Sequence, residues 1–333
     1  MASGNECVWL SNLLLTEALA ELQYQADRQA AEWKAGKTPA PFLIYLAWSD
    51  PHSGNWQTGS AAVTGNPVPS DGKFAPEDTW PEIMRDYAAS HGYLDTFVGK
   101  VMDKLASLGL VDKTVVIYAS DNGPAFTNEN PGAFFQAAGK LQGYKLSLQD
   151  GGIRVPFSVS WKGKIPAGAV TDAPVAIWDL GATILDMARV PKNGWTDGMD
   201  GVSFWSGILQ QPAKNGKVVA ASSFVHPPLY WERCIESSSA RPEAYEKRSG
   251  PAFSRAVRDG PWKGVQQFKS GTFSEFRLYH IASDITEAKD VAAGNPAVAT
   301  KIKGYLTSLR TSTANGFNYP AADDCTDAYG ALI

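Results

Sequence analysis

Cysteine is scarce in this 333-residue chain: Cys7, Cys234 and Cys325 are odd in number and far apart. They describe neither a disulfide framework nor a C-x-x-C metal knuckle, and they leave the redox compartment open. Strong charge of one sign is also missing. Thirty basic against thirty-four acidic residues leave a net charge of −4, too weak a field to concentrate nucleic acid or an anionic membrane, so no nucleic-acid partner is expected. No run of about eighteen apolar residues is present to span a bilayer. Leu13, Leu14 and Leu15 form a short apolar run, but no basic residue precedes it and Glu17 follows, so a signal peptide is not expected. What the chain does have is 44% apolar and 19% charged residues, enough for one large core or two unequal domains.

Apolar residues recur at helical period from Leu15 through Leu19 and Leu22 to Ala26. Phe42 to Trp48 runs almost wholly apolar and reads as a strand buried on both faces, ending in a Ser49-Asp50-Pro51-His52 loop. Residues 53–78, rich in Gly, Ser, Asn and Pro, read as irregular. Thr79 and Glu82 have capping-box spacing, with Pro81 in a first turn, and the period from Leu94 to Leu108 predicts a long helix closed by Gly109. Thr114 to Ala119 is a β-branched strand that leads into Ser120-Asp121-Asn122-Gly123. Val155 to Trp161 is a third strand, followed by a helix over Pro174 to Ala188. Strands separated by helices indicate an α/β sheet. Beyond about residue 212 the texture changes to short strands (Val218 to Ser222, Ser254 to Val257, Phe276 to Ile281) and a closing helix over Pro296 to Leu309.

Ligands of open α/β sheets bind beyond the carboxyl ends of the strands, which selects His52, Asp121, Asn122 and Lys145. Asp121 and Asn122 offer a carboxylate and an amide carbonyl, hard oxygen ligands for Ca²⁺ or Mg²⁺, although Asp-Asn-Gly is equally an ordinary turn tripeptide. Lys145, among Gly139, Gly143, Gly151 and Gly152, can hold an oxyanion or can be a solvated surface lysine. His52 can donate to an anion or leaving group, or be a satisfied structural imidazole. His91 falls within the long helix and His280 on a strand. His226, beside two prolines, points to no particular chemistry.

Taken together, PFLIYLAWSDPH, LDTFVGKVMDKLASLGLVDKTVVIYASDNGP and GKLQGYKLSLQDGGIRVP resemble, in order and spacing, the sulfatase family of the alkaline-phosphatase superfamily, and within it the arylsulfatases. IWDLGATILDMA, DGMDGVSFWSGIL, RAVRDGPWKG and LYHIASDITEAKDVA extend the resemblance over nearly the whole chain. It implies that Asp121 and Asn122 are metal ligands, usually to Ca²⁺, and that Lys145 and His52 contact the sulfate group and the ester oxygen. Family members also begin with a strand bearing paired aspartates, then a C-x-P-x-R or S-x-P-x-R motif whose Cys or Ser becomes formylglycine; this sequence contains neither. It further carries Asp150 where a glutamate is usual, Ser53 and Gly54 where a proline often follows the histidine, and Ile285 in place of a proline.

The resemblance therefore implies an incomplete alkaline-phosphatase-like doubly wound α/β sheet over residues 1–212, lacking its leading strands, and a smaller C-terminal α+β subdomain over 213–333. With two protein ligands, Ca²⁺ should bind weakly or not at all. Without formylglycine the chain is expected to be non-catalytic alone and to serve a structural or interaction role. The alternative is a sulfuric ester hydrolase whose N-terminal half is supplied elsewhere; a related phosphate or phosphonate ester hydrolase is a weaker reading. A protein partner, or the chain's own missing N-terminal half, is expected to cover the exposed sheet. Family members are commonly secreted, lysosomal or periplasmic; the sequence itself leaves the compartment open.

Overall fold

The computed structural model describes residues 9–52, 54–58, 61–65, 68–75, 79–125, 131–191, 198–218, 221, 224–234, 253–269 and 272–309. Cys7, Cys325, Ser53 and most of the strand expected over Val218 to Ser222 lie outside them. The chain divides into two compact units, Met1–Val116 with Trp161–Gly163, and Ile117–Ser160 with Lys164–Ile333.

In the first unit, α1 (Leu10–Lys34) buries Ser11, Leu15, Ala18 and Leu22, one stripe at three- and four-residue spacing. The second helix, α2 (Glu82–Ser107), packs beside it, with Leu22, Leu105 and Leu110 at the centre of a cluster that takes in Phe42 and Ile44. Gly109, at φ +65°, terminates α2. Its N–H bonds Ala106 O while Leu110 N–H reaches Leu105 O, and the same two leucines touch in the core. This is the Schellman closure that a glycine with left-handed backbone permits. The expected capping box does not form: Pro81 occupies the N-cap without a side-chain hydrogen bond.

Two further expectations are corrected in this unit. Residues 53–78 are not irregular throughout, because β1 (Gly54–Thr58) and β2 (Ala61–Gly65) pair as an antiparallel hairpin. Phe42–Trp48 joins no strand ladder among the described residues, and it is not buried on both faces. Its exposure alternates: Phe42 and Ile44 face the core, whereas Leu43 is 72% and Tyr45 88% exposed. Period-two alternation is the pattern of a strand with one packed face and one bare one.

In the second unit, the strand expected over Thr114 to Ala119 pairs as β3 (Val116–Ala119) with β4 (Phe157–Ser160). One-turn helices α3 (Pro131–Phe134) and α4 (Asp150–Ile153) interrupt the long connection between them. The helix α5 (Asp179–Met187) is shorter than predicted. Short strands β5 (Ala213–Lys214) and β6 (Lys217–Val218) form a small ribbon. The antiparallel sheet that follows has the order β10-β9-β8-β7, from β7 (Leu229–Cys234), β8 (Phe253–Asp259), β9 (Trp262–Lys269) and β10 (Thr272–His280). The closing helix α6 spans Pro296–Ser308.

That sheet has two differently dressed faces. Val257 and Leu278 point one way, into Ala299, Ile302 and Leu306 of α6. Ala256, Val265 and Tyr279 point the other way, onto Leu148 and Ile153. Adjacent residues on β8 and β10 thus serve opposite cores, as the pleat requires. The second face is the floor on which the 139–154 loop rests.

Candidate functional site

Asp121 and Asn122 follow β3 directly. Asn122 N–H donates to Asp121 Oδ1 (2.9 Å) and Asn122 Nδ2 to Gly123 O (2.9 Å), while Ser120 Oγ donates to Asn122 O. These bonds use the amide's donor end and leave its oxygen, together with Asp121 Oδ2, as acceptors. Two hard oxygens fit part of a Ca²⁺ shell, which takes about six to eight. Among the described residues no group of three or more His, Cys, Asp or Glu side chains could hold a metal ion. The pair therefore fits as a fragment of a cation site and not as a complete one.

Lys145 lies half-buried in the loop between Gly139 and Asp150, and its side chain makes no ion pair among the described residues. Backbone bonds zip this loop to the Asp121 loop: Lys145 N–H donates to Pro124 O (2.8 Å) and Gly123 N–H to Gly152 O (2.9 Å), while Gly151 N–H closes the lysine loop on itself at Gln142 O (2.7 Å). The glycines are required by close approach. A Cβ on Gly123 would lie 1.9 Å from Gly151 O, and one on Gly151 would lie 2.2 Å from Gly143 O. The structure thus brings Asp121, Asn122 and Lys145 onto one frame.

His52 belongs to the first unit, exposed at the turn after Phe42–Trp48, with its N–H donating to Ser49 O (2.8 Å). What fixes this turn is Asp50. Its carboxylate accepts from Ser90 Oγ on α2 (2.9 Å) and from Ser11 Oγ on α1, both serines being fully buried. Just before the turn Trp48 packs on Phe97, which Trp9 and Tyr93 also contact.

Sequence reasoning missed the anchors beneath the lysine loop. Lys263 on β9, wholly buried, places Nζ 2.6 Å from Asp150 Oδ1 and 2.9 Å from Glu287 Oε1. The second contact is an ion pair with a wholly buried Glu287. Glu287 Oε2 instead accepts Asp150 N–H (2.6 Å). Asp150 Oδ2 accepts no hydrogen bond and faces Arg154 and Arg258 at 3.6 and 3.8 Å. Burial alone would raise the Asp150 carboxyl, but Lys263 and the two arginines hold it below the usual carboxylate range. Burial wins at Glu287, which is raised despite Lys263. A second tie comes from β7, where Arg233 donates to Leu146 O; Leu146 sits at φ +77°, an uncommon backbone for a non-glycine residue.

His226 is likewise structural. Its Nε2 lies 2.9 Å from buried Asp179 Oδ2 and its Nδ1 lies 2.6 Å from Pro227 O. Both partners accept, so the arrangement suits the protonated ring, with both nitrogens donating. Asp179 also receives Ala176 N–H and Val202 N–H. The predicted places of His91 on α2 and His280 on β10 are as found.

Comparison with known proteins bears on this arrangement. The family model described as Sulfatase matches residues 21–190. The sulfatase YdeN of Escherichia coli K12, itself uncharacterized, is 26% identical over 283 residues, covering 82% of this chain and 47% of YdeN. Arylsulfatase K of Danio rerio is 24% identical over 265 residues, covering 80% of this chain and 43% of that protein. The chain spans about half the length of the curated relatives it matches. The crystal structure of Ps i-CgsB superposes with a TM-score of 0.63 over 91% of this chain and 56% of its own, at 22% identity, a likeness of fold. The architecture is the alkaline-phosphatase-like α/β fold, covering part of the full sulfatase chain. The chain belongs to the sulfatase family of the alkaline-phosphatase superfamily.

Proposed function

We propose that this chain is a sulfatase-like protein that holds the metal-facing and sulfate-facing loops of a sulfuric ester hydrolase, does not catalyse alone, and serves a structural or interaction role in an assembly. The supporting observation is the zipped pair of loops carrying Asp121, Asn122 and Lys145, in a sequence with no formylglycine precursor motif. Asp121 and Asn122 would offer two oxygens to Ca²⁺ and Lys145 a point charge to a sulfuryl oxygen. Ca²⁺ would supply charge stabilisation at the sulfuryl group. The attacking oxygen has no source within this chain, and without one the remaining groups bind rather than turn over.

The interaction role draws on Phe42–Trp48. Its bare face, carrying Leu43 and Tyr45, and its lack of a ladder partner among the described residues suit a polypeptide that lays an apolar strand along it. The occupant we favour corresponds to the half of the relatives' length that this chain does not span.

The alternative reading is a sulfuric ester hydrolase completed by an N-terminal half supplied elsewhere. The retained loop frame favours it. The deciding experiment incubates the purified chain with Ca²⁺, formylglycine-generating activity and a chromogenic aryl sulfate. No turnover is expected. Turnover that disappears in Asp121→Ala would overturn the non-catalytic reading, and a monodisperse monomer in solution would overturn the interaction role.

A further inference from the structure

We infer that Lys263 is a positioning residue for the candidate site: through Asp150 and Glu287 it fixes the lysine loop, and with it the Asp121 loop, from a strand far along the chain. The inference rests on the site reading above.

The geometry carries it in three steps. Lys263 and Val265 share one face of β9, the face that meets Leu148 and Ile153, so the ammonium emerges directly under the loop. It meets Asp150 at the first residue of α4, and Glu287 simultaneously holds the Asp150 N–H, so both the side chain and the backbone of that residue are pinned. The next two residues, Gly151 and Gly152, bond the Gln142 carbonyl on one side and the Gly123 N–H on the other. Asp150 is thus a point at which the C-terminal sheet grips both loops that carry Asp121, Asn122 and Lys145, beside the Arg233 tie to Leu146 O. A lysine with no exposed surface is rare unless it is paired, and here its pairing serves a loop junction rather than a core.

The alternative is that Lys263 merely stabilises the unit, and Ile302 separates the two roles. It lies on the opposite face of the same sheet, where its Cγ2 would be 2.4 Å from a Cβ on Gly264. Ile302→Ala therefore loosens the sheet without touching the loop. The experiment measures amide hydrogen exchange of Gly123, Lys145 and Gly151 by NMR in the full chain, well below the melting temperature, for Lys263→Met, Glu287→Gln and Ile302→Ala. The expected result is exchange at least tenfold faster at those three amides in Lys263→Met, a smaller rise in Glu287→Gln, and no selective rise in Ile302→Ala. Protection that is unchanged in the first two, or lost equally in all three, overturns the inference. If Lys263→Met does not fold, Glu287→Gln decides alone. Amide exchange needs no turnover or ligand, so failure to bind sulfate counts against the site reading and unchanged exchange counts against this one.

Discussion

Gly123→Ala tests the loop frame at its tightest point. The added Cβ would stand 1.9 Å from Gly151 O, 2.9 Å from Gly151 C and 3.0 Å from Gly152 Cα, all backbone, so no side chain can swing away. An ordinary contact begins at 3.4 Å, and the two strands of backbone must part by about 1.5 Å. Overpacking of this kind costs about 1–3 kcal/mol. Parting also breaks the Gly123 N–H to Gly152 O bond, worth about 0.5–1.5 kcal/mol. The sum of about 1.5–4.5 kcal/mol corresponds to roughly 3–18 °C in Tm for a unit of this size. Differential scanning calorimetry reads the shift, with Gly304→Ala as control. Gly304 is helical with nothing within 4 Å of a Cβ, so alanine there should stabilise by about 0.5–1 kcal/mol. A Gly123→Ala melting temperature within about 1 °C of the parent would refute the close packing from which the site geometry was argued.

His226 makes stability depend on pH. Burial disfavours its charge, but the hydrogen bonds to Asp179 and the Pro227 carbonyl, with the Asp179 charge, raise its pKa above the ordinary histidine value of 6.5. Its contribution is complete below pH 6.5 and is lost as pH rises through the raised folded value. Urea denaturation at a series of pH values should show stability falling over that window, and His226→Gln should flatten the slope; an equal slope in the variant refutes the assignment. Asp50→Ala leaves the buried Ser11 and Ser90 hydroxyls without their acceptor, a loss of about 2–6 kcal/mol, and denaturation of the first unit that is unchanged would contradict it. Asp150→Glu adds a methylene to a carboxylate that is 3% exposed and already 2.6 Å from Lys263. Although glutamate is the residue this loop usually carries in sulfatases, it should destabilise this chain by about 1–3 kcal/mol; tolerance within the error of calorimetry would mean that the junction is loose.

Much of the fold was legible because its signals are local. The stripe of α1, the glycine stop after α2, the strand leading into Asp121 and the closing helix each follow from a few neighbouring residues. The hairpin β1–β2 was hidden by composition: Gly54, Asn55 and Gly65 argue for loop, and only the two-residue separation by Gly59 and Ser60 hints at a turn between strands. Phe42–Trp48 was misread because an unbroken apolar run conceals its own alternation. Which of Leu43 and Ile44 faces the core depends on where α1 and α2 lie, and no local pattern contains that.

The site divides along the same line. Asp121, Asn122 and Lys145 stand out as polar residues among glycines after buried runs, so their candidacy was readable. Their support was not. Lys263 lies 113 residues from Asp150, and Glu287 lies 137 from it. Each looks in sequence like an ordinary surface charge, the prior for lysine and glutamate. Only tertiary packing removes both from water, and a buried charge without its partner costs about 3–5 kcal/mol. That penalty couples the groups: losing the Asp150 contact leaves Lys263 with Glu287 alone, and losing Lys263 leaves Asp150 and Glu287 facing each other. The C-terminal sheet and the lysine loop therefore hold their geometry jointly, and a version of this chain ending before β8 should not keep Lys145 and Asp121 on a common frame.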